Sequence, residues 1–565
     1  MIEFPPGLLL ILAALPVTVL RGPLRAIWML ALPVVAFAII YTLPDGSHYA
    51  LTAFGQQLEL LRVDSLSKVF GYVFVIALFL GVIYSLHVGP STEHVAGMVY
   101  AGAAIGAVFA GDLISLFVYW ELTAIASVFL ILARGTEAAL GAAMRYLIIQ
   151  VGSGVLLLAG LIVRWHETGS IEFGLIGLDG AGGVLILLAF GIKAAFPLLH
   201  NWLQDAYPNA TPTGTVMLSA FATKLAIYAL ARGYAGTEEL IWIGAVMTAF
   251  PIFFAVVEND LRRVLAYSLN NQLGFMVVGV GIGTELALNG AAAHAFTHII
   301  YKALLFMSMG AVLHRVGTVL GTELGGLYKS MPFTTGACIV GAASISAFPL
   351  FSGFISKSMI LSAAAHEHHY IVWGVLLFAS AGVFHHSGIK IPFFAFFAHD
   401  SGKRVKEAPR NMLVAMGIAS VLCIGIGVWP SALYAILPFD VNYVPYTDSH
   451  VLSQVQLLFF SALAFTVLMR TGLYPPELRS TNLDTDWFYR RLGKRALAGT
   501  AAFVSSVYGG FYGLSVRRSK RFVEGLYRHH GPQGIIARTW PTGSMVLWVA
   551  ILLVTYLFLY FLDIF

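Results

Sequence analysis

The stretch that decides the fold is "GIKAAFPLLHNWLQDAYPNATP", Gly191 to Pro212. It continues an apolar run, "GGVLILLAF", yet places a lysine, Lys193, where the pattern asks for another leucine. Pro197 follows within the same turn. A proline has no N–H to donate and its ring crowds the preceding turn, so a helix cannot run through it undisturbed. A charge and a helix break, side by side in an apolar segment, make sense together. Irregular backbone at membrane depth is tolerated only where it is buried in protein or lines a water-filled cavity.

The rest of the chain sets that segment in a membrane. Of 565 residues, 58% are hydrophobic and 11% charged, and the mean hydropathy is +0.82, far outside the soluble globular range. About sixteen apolar runs, most of them long enough to cross a bilayer core as a helix, recur from end to end. The expected fold is an all-α polytopic membrane protein with about 14–16 transmembrane helices. Cys338 and Cys423 are the only cysteines, which excludes thiolate metal sites and argues against a disulfide framework. The formal charge of +5 reads as loop charge facing anionic lipid, with no nucleic acid as partner. The segment after Met1 lacks a basic stretch ahead of its apolar run, so it is read as a first anchor and not as a cleavable signal. Alternating the loops from an outer N-terminus places Arg21, Arg25, Arg134, Arg262, Arg263, Arg315 and the stretch "GKRVKEAPR" (Lys403 to Arg410) on one face. The positive-inside rule makes that face cytoplasmic.

The tetrapeptide AFPL occurs twice, in "KAAFPLLHNW" and in "ISAFPLFSGFISK". Loop counting gives the two runs opposite orientations, the pattern of an inverted repeat with paired broken helices.

Ionisable residues inside apolar runs come next. An ionised group at the bilayer centre costs at least about 2.5–3.5 kcal/mol on insertion scales, so each is a functional candidate. Glu121 sits in "DLISLFVYWELTAIASVFLI", Lys193 beside the first break, Lys224 in "SAFATKLAIYAL", and Lys357 after the second break. His294, His298 and Lys302, in "AAAHAFTHIIYKALLF", are spaced four apart and share one helix face over about 12 Å. Any one of these seven could be half of a structural ion pair or a hydrogen-bonded core residue. Together they outline a proton path. The clusters "HEHH" (His366 to His369) and "HH" (His385, His386) have no cysteine or carboxylate partners at zinc-site spacing, so no metal is expected there. "GVGIGTE" (Gly279 to Glu285) follows no strand and is no dinucleotide fingerprint.

Five stretches, "DLISLFVYWEL", "KAAFPLLHNWLQDAYPNATPT", "DLRRVLAYSLNNQLG", "HAFTHIIYKALLF" and "FPLFSGFISKSMIL", resemble the signature segments of the antiporter-like membrane subunits. This superfamily is shared by Mrp-type cation/proton antiporters, respiratory complex I and membrane-bound hydrogenases. The resemblance spans roughly Ser65 to Trp429. It implies two inverted five-helix repeats, each with a broken helix, and it matches the family's titratable positions to Glu121, Lys193, Lys224, His294, His298, Lys302 and Lys357. Lysine at both Lys224 and Lys357 is similar to the pattern of the D-type subunits of Mrp Na+/H+ antiporters, whereas complex I members vary there. On this reading, residues 1–92 hold the N-terminal transmembrane helices, 93–232 the first repeat, 240–398 the second and 411–470 further spans. Residues 471–565 hold an amphipathic cytoplasmic-surface segment and a final span. Within the tail, Thr481 to Arg528 alternates apolar and basic residues at helical spacing, and Gly509, Gly510 and Gly513 are expected to break it into two helices.

The implied function is proton translocation in a multisubunit monovalent cation (Na+)/proton antiporter of a bacterial cell membrane, with no redox cofactor. The alternative is an antiporter-like pumping subunit of a complex I or hydrogenase type redox complex, whose redox centres lie in partner chains. In either case the partners are other membrane subunits. If Glu121 approaches Lys193, the pair holds the lysine protonated, and separating the two releases a proton along the row.

Overall fold

The computed structural model describes residues 4–53, 55–474, 478, 482, 484–538 and 541–562. The start of the amphipathic tail at residue 481 lies outside the described residues. The chain divides into two compact units, Met1–Asn482 and Leu483–Phe565.

The first unit opens with helices α1 (Pro6–Ala13) and α2 (Gly22–Thr42), followed by a hairpin of β1 (Gly46–Ala53) and β2 (Gln56–Val63). Next come α3 (Ser65–Ser85), α4 (Ser91–Val108), α5 (Leu113–Leu132), α6 (Glu137–Thr168), α7 (Gly180–Lys193) and α8 (Asn201–Asn209). They are followed by α9 (Pro212–Ala220), α10 (Ala222–Gly233), α11 (Glu238–Val257), α12 (Leu261–Ile282) and α13 (Glu285–Val316). After these lie α14 (Pro332–Ile345), α15 (Ser352–His366), α16 (Tyr370–Val383) with a π-helical continuation Phe384–Lys390, α17 (Arg410–Val428), α18 (Pro430–Tyr434) and α19 (Asp448–Thr471). By length and composition, eleven helices of the described chain can cross a membrane, and three shorter apolar helices accompany them. The protein is an integral membrane protein.

Burial separates centre from rim. In an apolar 18-residue stretch of Pro212–Gly233 and of Glu285–Val316, 94% of the residues are buried, against 11% in that of Asp448–Thr471. Small residues make the centre possible: Gly244 of α11 and Gly274 of α12 touch backbone to backbone, so a side chain at either would force the helices apart.

The internal repeat shows in the backbone. Both AFPL segments break their helices with the same signature, positive φ at the first and last residue: Ala195 (62°) and Leu198 (70°), then Ala347 (56°) and Leu350 (74°). Left-handed backbone at a residue with a Cβ is costly and persists only when surrounding structure holds it. A second echo lies at the helix starts. Asp112 caps α5 through the Ser115 amide (2.7 Å), and Asp260 caps α12 through the Arg262 amide (2.8 Å). Each aspartate also forms an isolated antiparallel bridge, with Glu172 and Leu320 respectively.

One element departs from an all-helical reading. The β1–β2 hairpin pairs Gly46 with Val63 and Ala50 with Glu59, and it covers the α4–α5 connection. The Gly111 amide donates to the Glu59 carbonyl (2.8 Å), the Glu59 amide to Asp112 Oδ2 (2.8 Å), and the Arg62 amide to the Phe109 carbonyl (2.7 Å).

The second unit contains a π-helical turn Phe488–Gly493, α20 (Lys494–His530) and α21 (Thr542–Phe561). The expected break at Gly509, Gly510 and Gly513 is absent, for α20 runs through all three without interruption. A helix-interior glycine costs about 1 kcal/mol relative to alanine but still keeps its N–H for the ladder, and no proline removes one. Phe503, Val507 and Phe511 are exposed along one stripe of this helix, as are Arg517, Arg518 and Arg521 on its surface.

Candidate functional site

Breaking a helix leaves the carbonyls of its last turn without partners, and the helix dipole places partial negative charge there. In this fold an ammonium is buried beside each of three helix breaks, and at two of them it rests on such a carbonyl. Lys193 is the last residue of α7; its Nζ donates to the Trp120 carbonyl (2.8 Å) and the Thr123 hydroxyl (2.7 Å) and lies 4.2 Å from the centre of the Trp120 ring. The carbonyls freed by that break are taken by Ser153, whose hydroxyl donates to Ala189 (2.7 Å), and by the Trp202 indole, which donates to Ile192 (2.9 Å). At the second break Lys357, on α15, reaches back to the carbonyl of Ile345, the last residue of α14 (3.1 Å), and its Nζ lies 5.0 Å from the Phe275 ring centre. The third end was not legible beforehand. The span carrying Lys224 is interrupted at Phe221 between α9 and α10, and Lys224 donates to the Ser219 carbonyl (2.6 Å). No proline or glycine marks that position.

The magnitudes are compatible with charge. Hydrogen bonds to an ionised group contribute about 1.5–3 kcal/mol each and a partly buried helix terminus up to about 2 kcal/mol. Together these are comparable with the insertion cost of about 2.5–3.5 kcal/mol. All three ammoniums are fully buried or nearly so.

The row on α13 lies as the spacing predicts. His294, His298 and Lys302 are all fully buried. The two imidazole centroids are 6.1 Å apart, and His298 meets the Tyr301 ring at 5.2 Å. His294 Nδ1 is 3.0 Å from Ser356 Oγ on α15, next to Lys357, and Lys302 donates to Ser268 Oγ on α12 (2.8 Å). Neither ring nitrogen of His298 has a hydrogen-bond partner among the described residues. His298 lies in the field of Lys224, from the first repeat, and of Lys302 and Lys357, from the second, so α13 is where lysines of both repeats converge.

Glu121 does not meet Lys193 as an ion pair. Each lies in the other's field, but the lysine uses its donors on Trp120 and Thr123, and Glu121 Oε1 is buried without a hydrogen-bond partner. The carboxylate packs directly over Gly154 of α6, where an added methyl would overlap it. The geometry is that of a separated pair.

Around this core, arginines fix the second half of the first broken helix. Arg145 grips Asp205 of α8 through two bonds (2.6 and 3.1 Å), and the buried Arg262 donates to the carbonyls of Tyr207, Pro208, Ala210 and Thr211. A cavity of about 590 Å³ opens beside Lys357, lined also by Ser358, Ser362, His450 and Gln454. The sequence reading weighed His386 only as a metal ligand and passed over Ser387 and Lys390, all three buried in the π-helical segment. Lys390 was the available signal, a lysine four residues after His386 in an apolar run. Among the described residues, no group of three or more His, Cys, Asp or Glu could hold a metal.

Comparison with known proteins places this architecture. Residues 110–384 match the family described as NADH:quinone oxidoreductase/Mrp antiporter, TM. The chain is 32% identical over 292 residues to the D component of the Na(+)/H(+) antiporter of Alkalihalophilus pseudofirmus, covering 48% of this chain and 59% of that protein. It is 29% identical over 426 residues to hydrogenase-4 component B of Escherichia coli, covering 66% of this chain and 63% of that protein. The chain thus spans less than two thirds of the length of these curated relatives. The fold is similar to a chain in the structure of the Mrp complex from Dietzia sp. DQ12-45-1b, with a TM-score of 0.68 at 21% identity, covering 81% of this chain and 100% of that one.

Proposed function

From the premise that this chain belongs to the family of NADH:quinone oxidoreductase/Mrp antiporter membrane subunits, we propose that it moves protons for a multisubunit monovalent cation (Na+)/proton antiporter. Other membrane subunits are its partners. The observation that carries the reading is the convergence of buried ammonium and imidazole groups from both repeats on α13, with no carboxylate accepting from them among the described residues. A structural ion pair brings its counter-charge, because leaving one charge buried and unpaired costs several kcal/mol. Here the lysines rest on carbonyl oxygens and hydroxyls, which hold an ammonium yet release its proton without leaving a carboxylate behind.

Protons enter the row at Lys193, poised by the separated Glu121, and pass by way of Lys224 to His298, His294 and Lys302, with Lys357 at the far break. Closing the distance between Glu121 and Lys193 favours the protonated lysine; opening it drives the proton onward. The histidines shuttle, since a neutral imidazole accepts at one nitrogen and donates at the other.

The test is cation-driven proton movement. Everted vesicles carrying the chain with its partner subunits, loaded with a pH-sensitive dye, should show proton flux on adding Na+ or another monovalent cation, and Lys193→Ala should lose it. The similarity to hydrogenase-4 component B supports a second reading, a pumping subunit of a redox complex. It is favoured if wild-type vesicles ignore cations but move protons when the redox partners turn over.

A further inference from the structure

The π-helical segment after α16 contains a buried imidazole that the row on α13 does not use. His386 is fully buried, its Nδ1 lies 2.9 Å from Ser387 Oγ, and its Nε2 has no hydrogen-bond partner among the described residues. The Ser387 hydroxyl donates to Ser268 Oγ (2.8 Å). Ser268 is the residue that accepts from Lys302, also at 2.8 Å. Four buried side chains from three helical segments, far apart in sequence, thus form one unbroken line of hydrogen bonds from Lys302 to His386. π-Helical turns are rare and concentrate at functional positions. This one sets the adjacent pair His386 and Ser387 toward α12.

We propose that His386 is a proton-carrying residue, receiving protons from Lys302 through Ser268 and Ser387. The inference rests on the antiporter reading and extends its path from α13 to the segment that precedes the loop 399–410. In each passage the Ser387 hydroxyl first turns from Ser268 toward His386 Nδ1 and the Ser268 hydroxyl toward Ser387; the Lys302 ammonium then gives one proton to Ser268 Oγ while the Ser268 hydroxyl gives its own to Ser387. The Ser387 hydroxyl in turn gives its proton to the lone pair of His386 Nδ1. One N–H bond breaks at Lys302 and one forms at His386; both serines end with the proton count they began with. The charge has moved from amine to imidazole. Release from Nε2 leaves neutral His386 with its proton on Nδ1; return of the imidazole to its Nε2–H tautomer, together with rotation of the two hydroxyls, resets the line.

Lys390 supports this path and does not lie on it. Its ammonium donates to the carbonyls of Val256 (2.6 Å) and Glu258 (2.7 Å) at the C-terminus of α11, which fixes the π-helical segment in register. His385, by contrast, packs among Phe465 and Tyr474.

The experiment uses the full chain with its partner subunits in everted vesicles, and reads cation-driven proton flux at equal amounts of inserted protein. His386→Gln and Ser387→Ala should each slow flux at least tenfold. Ser387→Thr, which keeps the hydroxyl, should stay within threefold of wild type, and His385→Phe within twofold. Wild-type flux in His386→Gln or in Ser387→Ala overturns the relay, as does equal loss in Ser387→Thr and Ser387→Ala, which would mark Ser387 as packing only. If His386→Gln fails to insert, the two Ser387 variants decide. A wild type that shows no cation-driven flux overturns the antiporter reading itself, and the relay with it.

Discussion

At the first break the ammonium belongs to the half-helix that ends there, Lys193 being the last residue of α7; at the second, Lys357 comes from beyond the break and reaches back to α14. The backbone of the two breaks is otherwise the same, alanine and leucine in left-handed conformation around a proline. The difference teaches that each break buries an ammonium, at the second on the negative end of the broken helix and at the first on α5, and that the fold leaves open which chain segment supplies the cation and which accepts from it. The surroundings differ as well. Lys193 is enclosed by Trp120, Thr123 and the nearby Glu121, whereas Lys357 has no carboxylate at hand among the described residues and borders a cavity.

The largest effect is expected at the enclosed end. Lys193→Ala and Glu121→Ala should each reduce cation/proton exchange about 100-fold or more in vesicles while insertion and assembly persist; normal exchange in both would reduce the pair to structure. On the row between the breaks, Lys302→Ala should cost roughly ten times more rate than His298→Ala, because water can bridge a missing imidazole but not replace the only ammonium of the row. A pH-jump assay that ranks them the other way breaks the relay.

Access separates the two breaks next. A cysteine at position 357, as Lys357→Cys, should react with a water-soluble thiol reagent about tenfold faster than Lys193→Cys, with Cys338 and Cys423, both buried, giving little background. Equal labelling would show that the cavity does not distinguish them. The shared backbone can be probed by stability: Ala347→Gly should be neutral or slightly stabilising, and Ala347→Val should destabilise by about 1–3 kcal/mol, read as thermal unfolding in detergent. Equal behaviour of the two variants would mean that the left-handed turn is not held in solution. The smallest effect on the ion path is expected from removing everything after Met469, since none of the seven candidate residues lies beyond Lys357. Native electrophoresis should show weakened assembly with partner subunits, and an undiminished complex would deny the tail a docking role.

Much of this was legible from local sequence. A proline inside an apolar run announces a broken helix, and four-residue spacing puts His294, His298 and Lys302 on one face wherever the helix packs. What stayed hidden depends on segments distant in the chain. Phe221 interrupts its span without a glycine or proline, because the interruption is held by tertiary contacts such as the Tyr100 hydroxyl accepting from the Ala222 amide (2.9 Å). The unbroken α20 shows the converse error, where glycines alone suggested a break that the hydrogen-bond ladder does not make.

The sequence by itself determined that the chain lives in a membrane, that it breaks two helices in the same way, and that lysines and histidines are buried near those breaks. Hydropathy, proline and helical period act over a few residues and need no partner to be read. Only the tertiary structure decided what each charge touches: Lys193 on Trp120 and Thr123 and not on Glu121, Lys302 on Ser268, and His386 at the end of a line from α13. Those contacts join residues tens to more than a hundred positions apart. Which carbonyl or hydroxyl meets a buried ammonium is fixed by how the helices pack, and no local pattern encodes it.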